Sequence, residues 1–208
     1  IFEADGNMLV DGAKLEYTMI GEFKDGYAVV ERIIKTFAYN QNRTNPLYNY
    51  INTTGGLLSK EWFLEARTFE NGKGIIAVGE VAEDGYYSKE EADWKVIDTS
   101  GKIICDLPDQ VVYERIFADY AVCHPIYESD TLFLVSLKDT TKRLGPYSEI
   151  EFFDYNCAIV TDYDTGLKGL IANNTFVLDT EYNSIIEVEP YIFEYQKGEK
   201  VDTINIKH

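Results

Sequence analysis

Histidine, cysteine and proline are scarce in this 208-residue chain, at two, three and five copies. Basic side chains are also in deficit, 19 against 36 acidic, which leaves a formal charge of −17. Each shortage excludes something. His124 and His208 are the only histidines, so a nucleophile–base relay of the Ser–His or Cys–His kind has one internal candidate base. His124 adjoins Cys123, and two neighbouring side chains cannot supply the three or four convergent ligands that zinc needs. The three cysteines (Cys105, Cys123, Cys157) lack Cys-x-x-Cys spacing, and their odd number favours a reducing compartment such as the cytoplasm. The acidic balance excludes nucleic acid as a partner, since affinity for phosphates comes from Lys and Arg. No run approaches the roughly 20 apolar residues of a membrane span, and no signal-peptide pattern opens the chain. The chain is nevertheless 45% hydrophobic and 14% aromatic, too apolar for an acidic disordered tail. A chain of this length buries about 70% of its unfolded surface and needs no metal or disulfide to hold a core. No cofactor, metal or catalytic residue is expected.

The aromatic residues carry an internal repeat. Tyr17, Ile20, Phe23, Ala28 and Val30 are matched at identical spacing by Tyr147, Ile150, Phe153, Ala158 and Val160. Phe63, Ala66 and Phe69 repeat the front half before the run Ile75-Ile76-Ala77-Val78. Tyr113, Ile116, Ala121 and Val122 give a version three residues shorter, and Tyr182 and Ile185 begin a last copy. Between these connectors lies a second element, clearest as Trp94-Lys95-Val96-Ile97-Asp98-Thr99-Ser100-Gly101-Lys102-Ile103-Ile104. Apolar residues flanking a polar turn that ends in Gly predict a β-hairpin with the glycine at positive φ. Tyr48 to Gly55 matches it position for position, Lys168 to Asn174 and Leu132 to Val135 more weakly. The N-terminus reads as the tail of the same element, so the chain is expected to be part of something longer.

These residues resemble the WG-repeat (KWG-type) family, bacterial chains of tandem β-hairpin units. Trp94, Ile97, Asp98, Gly101 and Lys102 match the family's hairpin, and Pro146, Tyr147, Ile150 and Phe153 match its connector. The glycine of the Trp-Gly pair is Lys95 here, and the tryptophan is replaced in the other copies. The resemblance implies no catalytic activity, only a binding or scaffolding role. The expected fold is all-β: residues 1–208 as a single repeat domain of four full units with partial units at both ends. Units this small cannot bury their own apolar faces and must stack. Two closures fit, an open stack or solenoid and a closed propeller-like ring. Connectors that look short and turn-like rather than like a further strand favour the open stack. Short helical turns are expected at Ser59-Lys60-Glu61-Trp62 and Ser88-Lys89-Glu90-Glu91, the second with Ser-x-x-Glu capping spacing.

Spacing locates a candidate binding face. Phe23 to Ile51 and Phe69 to Ile97 each span 28 residues, whereas Phe117 to Val135 and Phe153 to Ile171 span 18. Two adjacent units therefore carry insertions at one structural position, 35–47 and 79–93, and such insertions often build the binding face of a repeat protein. The first offers Tyr39 and Arg43 among amides; the second offers Glu83, Asp84, Tyr86, Tyr87, Glu90 and Glu91. Tyrosines among polar groups suit a recognition surface; the plainer alternative is a longer hairpin with solvated charges. The leading expectation is a non-enzymatic module binding a protein or peptide. A basic partner is favoured by complementary charge, as for an inhibitor or immunity-type protein. The rival class is a carbohydrate-binding or cell-surface module stacking sugars on Trp62, Tyr86 and Tyr87. An enzyme would need a pocket with convergent polar groups. Asp162-Tyr163-Asp164-Thr165-Gly166 departs from a calcium loop, having Leu167 and Asn173 where Gly and Glu are required, and reads as a strand-joining turn.

Overall fold

Asp25-Gly26 and Asn71-Gly72 each place two successive residues at positive φ (49° and 81°; 53° and 69°), the backbone of a two-residue hairpin turn matched to strand twist. Each turn is closed by a bridging pair, Lys24 with Tyr27 and Glu70 with Lys73. Such turns, repeated along the chain, fold it into antiparallel meanders. The computed structural model describes residues 16–38, 41–80, 92–154 and 156–207, with the side chains of 36–38 and 41–43 also outside that description. Among the described residues the protein is all-β, without a helix, and none of its sheets closes on itself.

The chain forms two compact units, Ile1–Ile116 and Phe117–His208. In unit 1, β1 (Met19–Ile20), β2 (Tyr27–Ala38) and β3 (Gln41–Asn52) form one sheet in sequence order. β4 (Glu65–Ala66), β5 (Lys73–Val78), β6 (Asp93–Asp98) and β7 (Ile103–Asp106) form a second, and β8 (Val111–Phe117) runs up to the unit boundary. In unit 2, β9 (Tyr120–Pro125), β10 (Leu132–Ser136), β11 (Arg143–Phe153), β12 (Cys157–Asp162), β13 (Lys168–Ala172) and β14 (Thr175–Tyr182) pair successively. A three-stranded sheet follows, β15 (Ser184–Glu189), β16 (Ile192–Lys197) and β17 (Lys200–Asn205).

The register recurs from meander to meander. Ile20 pairs with Val30, Ala66 with Ile76, Ile150 with Val160 and Ile185 with Tyr195, always ten residues apart. Across the next ladder Ile51 faces Ala28, Ile97 faces Gly74, Val135 faces Ala121 and Ile171 faces Ala158. A branched side chain opposite a small one fills a cross-strand site without overpacking. Ile51, Ile97 and Ile171 are almost wholly buried, each worth about 1.5–3 kcal/mol of transfer from water. At Gly74 the small residue is obligatory, because a Cβ there would lie 2.5 Å from the Tyr50 hydroxyl oxygen. Tyr50, Phe63, Phe69, Ile76 and Ile97 form one core of unit 1. In unit 2, Phe117, Leu134, Tyr147 and Ile171 belong to one core, and Ile159, Leu170, Ile185 and Phe193 to a second.

The hairpin turns repeat atom for atom. Asn52 Oδ1 accepts hydrogen bonds from the Thr54 amide (3.0 Å), the Thr54 hydroxyl (2.8 Å) and the Gly56 amide (2.8 Å). Asp98 Oδ1 accepts from the Ser100 amide (2.8 Å), the Ser100 hydroxyl (2.6 Å) and the Lys102 amide (3.1 Å). Gly55 and Gly101 follow at φ 88° and 81°, the positive values expected from the sequence. The Ser100 hydroxyl, then the Lys102 and Ser100 amides, hold the Asp98 carboxyl below its ordinary value. A depressed carboxyl pKa stabilises the fold above the ordinary carboxylate value near 4, and that contribution is lost as pH falls through the depressed value. The D98N variant should therefore keep the turn, as Asn52 does, and lose part of the acid-limb slope of stability. An unchanged slope in a urea-denaturation series from pH 5 to about 2 would contradict this role.

Two sequence expectations are corrected. Connectors are not uniformly turn-like: Tyr147, Ile150 and Phe153 lie on the eleven-residue β11, and Tyr113 and Ile116 on the seven-residue β8. β11 pairs with β10 through its first half and with β12 through its second, and the two ladders meet at Tyr147. In the first two copies the connector strand shrinks to two residues, β1 and β4. Residues 59–62 form bends rather than a helical turn. The buried Asn49 amide donates to the Ser59 and Glu61 carbonyls (2.9 and 2.8 Å), engaging acceptors a helix would direct along its own axis. Residues 88–91 and the N-terminal partial hairpin lie outside the described residues.

Candidate functional site

Both insertions occupy the same topological position, the connection from the second to the third strand of a meander. β2 and β3 remain paired out to Ala38 opposite Gln41, so the described part of 35–47 prolongs the β2–β3 ladder. The β5–β6 ladder ends at Val78 opposite Asp93, and 79–92 spans the gap. Arg43 lies on β3 with its backbone opposite Thr36, and its side chain is outside the described residues. Tyr39, Glu83, Asp84, Tyr86, Tyr87, Glu90 and Glu91 likewise lie outside them. What the structure does define is the footing of the second insertion. Trp94, next to Asp93, is 2% exposed, with its ring 5.6 Å from Tyr113 and the Arg67 guanidinium 5.6 Å from its centroid.

Unit 1 also carries a charged cluster that sequence reasoning did not single out. Glu70, with a side chain 5% exposed, accepts from the Lys24 ammonium, from Arg115 Nε (3.1 Å) and from Arg115 Nη2 (2.6 Å). Asp25 Oδ2 accepts from the Gly72 amide (3.2 Å), and the Tyr27 and Phe69 rings are 4.6 Å apart. Turn residues of successive copies thus meet side by side. Lys24 and Glu70 follow Phe23 and Phe69, the same repeat position with opposite charge. That complementarity was the signal available in the sequence.

Beside this cluster a cleft of about 660 Å3 is lined by Glu22, Phe23, Lys24, Ala66, Arg67 and Glu114, among others. Its cations are engaged by the protein itself. Lys24 holds Glu70; Arg67 donates Nε to the Tyr113 carbonyl (2.7 Å) and lies 3.6 Å from Glu65. The lining contains no histidine, cysteine or serine. Elsewhere, burial pushes the Cys123 and Cys157 thiols up to about 12, which leaves them protonated and unreactive at neutral pH. His124 sits on β9 with Nδ1 2.8 Å from the Pro125 carbonyl. No cluster of three or more metal-ligating side chains occurs among the described residues, and no helix among them is long and apolar enough to cross a membrane. Asp162 and Thr165 close the turn between β12 and β13, with the carboxylate accepting from the Thr165 amide (2.9 Å) and hydroxyl (2.6 Å). Trp62 is half-buried, with the Arg32 guanidinium 4.1 Å over its ring and Tyr17 6.0 Å away. A sugar seeking that face would compete with Arg32.

No protein-family model and no curated protein matches the chain. Function is therefore argued from geometry and charge.

Proposed function

We propose that this protein is a non-enzymatic β-repeat module that binds a protein or peptide, with 35–47 and 79–93 as its contact face and a basic partner as the favoured class. The repeat reading, including the resemblance to WG-repeat proteins and an open stack of units, is supported by the ten-residue register of Ile20–Val30, Ala66–Ile76, Ile150–Val160 and Ile185–Tyr195. The observation that supports the binding reading is the equivalent topological position of the two insertions, each following the second strand of its meander. Segments of 79–93 chemistry, six acidic residues against Lys89 with paired tyrosines, present contact area and charge together. Complementary charge speeds encounter and selects partners more than it adds affinity. An inhibitor or immunity-type role over a basic surface fits this arrangement.

The test is affinity capture from the native host with the full chain and with a chain lacking 79–93. A basic protein should be held by the first, lost by the second, and released as salt rises from about 0.05 to 0.5 M, where the Debye length falls toward 4 Å. Persistence of every captured protein after the deletion would refute the placement of the face. Capture insensitive to salt and competed by sugars would favour the carbohydrate class instead.

A further inference from the structure

The outer edge of a meander's third strand is covered by the chain that follows it at β3, β10 and β13. Tyr48 of β3 bridges to Phe63, β10 pairs with β11, and β13 pairs with β14. β17, the third strand of the last meander, has no neighbour on that side among the described residues. An open edge presents unpaired N–H and C=O groups, and proteins blunt such edges with bulges and charges. Register shifts interrupt the ladders of β7, β14 and β15. β17 instead pairs with β16 through six consecutive residues without a shift. Lys200, Val201, Asp202 and Thr203 are all exposed, Val201 at 55%. The phase of the ladder shows which backbone groups face outward. Ile206 donates its amide to the Tyr191 carbonyl (2.9 Å), one pair beyond Asn205 opposite Ile192. Hydrogen-bonded pairs alternate along an antiparallel ladder, so Ile204, Asp202 and Lys200 bond inward to β16. Val201 and Thr203 turn their N–H and C=O groups to the open side.

We infer that β17 pairs antiparallel with β17 of a second copy of this chain, Val201 opposite Val201. The outward amide and carbonyl of the two valines then exchange both hydrogen bonds. Lys200 of each copy stands opposite Asp202 of the other, at the non-hydrogen-bonded sites where facing side chains come closest. Neither side chain forms an ion pair within the single chain among the described residues. Centring the pair on Lys200 or on Asp202 would set like charges opposite each other, so charge selects the Val201 register. In the single chain Asp202 Oδ1 accepts from the Thr203 amide (2.8 Å). In the pair that amide meets the Glu199 carbonyl of the second copy, and the carboxylate turns to Lys200 there. Two three-stranded sheets join edge to edge. This association uses none of 35–47 or 79–93 and stands apart from the binding reading above.

The experiment is sedimentation equilibrium of the full chain from about 0.01 to 1 mM, with Lys200→Asp and Asp202→Lys as separate variants. The parent should dimerise as concentration rises. Each variant alone sets like charges opposite at both sites and should dimerise about tenfold or more weakly. Mixed in equal amounts, the two variants restore opposite charges across the pair and should associate with each other at the parent's strength. That recovery separates the strand pairing from any damage to the fold, since both substituted side chains are exposed. A parent that stays monomeric throughout would mean that Lys200 and Asp202 guard the edge, and would overturn the pairing. Single variants that dimerise like the parent, or a mixture that stays monomeric, would overturn it as well.

Discussion

Truncating Tyr50 to alanine is expected to cost unit 1 about 3–5 kcal/mol, the range for removing a large buried aromatic. The ring is fully buried and 5.2 Å from Phe69 in an edge-on arrangement, and the hydroxyl donates to the Arg67 carbonyl (2.6 Å) with the Ile75 carbonyl at 3.0 Å. Burial raises the phenol pKa far above its ordinary value. Tyr50→Phe keeps the ring and removes the donor to the Arg67 carbonyl, while the Ile75 carbonyl still accepts from the Arg67 amide (2.9 Å); about 1–3 kcal/mol is expected. Gly74→Ala attacks the same contact from the other side, since its new methyl would overlap the phenol. Both tryptophans, Trp62 and Trp94, lie in unit 1, so tryptophan fluorescence in urea follows this unit directly. A Tyr50→Phe midpoint equal to the parent's would show that the hydroxyl does not tie β3 to the Arg67 and Ile75 backbones.

Trp94 gives the contrasting result. Its alanine variant should again lose about 3–5 kcal/mol, because the indole is 2% exposed beside Tyr113 and leaves a large cavity. Trp94→Phe should stay within about 1 kcal/mol of the parent. The indole Nε1 is buried without a hydrogen-bond partner among the described residues, a state that itself costs about 1–3 kcal/mol. Replacing the indole by a phenyl ring removes that cost while giving up some packing. Tyr50→Phe should thus destabilise more than Trp94→Phe, although the second change removes more volume. Equal or reversed effects, read by urea midpoints at constant slope, would mean that the indole N–H finds a partner.

The Lys24–Glu70–Arg115 cluster invites a smaller expectation. Glu70 is buried, but Lys24 and Arg115 are 49% and 38% exposed and can return to water if the carboxylate is lost. Removing one partner of a fully buried pair costs about 3–5 kcal/mol; here solvent recovers part of that. The cluster joins side chains at sequence separations of 45 and 46 residues. Within a single copy nothing announces it. Only the alignment of Phe23 with Phe69 places the two opposite charges at equivalent turns.

Much of the candidate site was legible for the same reason. The different lengths from Phe23 to Ile51 and from Phe153 to Ile171 located both insertions, because extra residues must either lengthen a hairpin or leave its ladder.

By itself the sequence determined the strand periodicity, the glycines at positive φ and the Asn52 and Asp98 turns. All of these follow from backbone sterics and bonds between residues close along the chain. Tertiary structure alone decided which connectors become strands. Tyr147, Ile150 and Phe153 join an eleven-residue strand, while the like-spaced Tyr17, Ile20 and Phe23 contribute only a two-residue one. The tertiary fold also decided the burial of Glu70 and the guanidinium over Trp62. Each depends on residues far apart in the chain reaching one place, and local pattern carries no term for that.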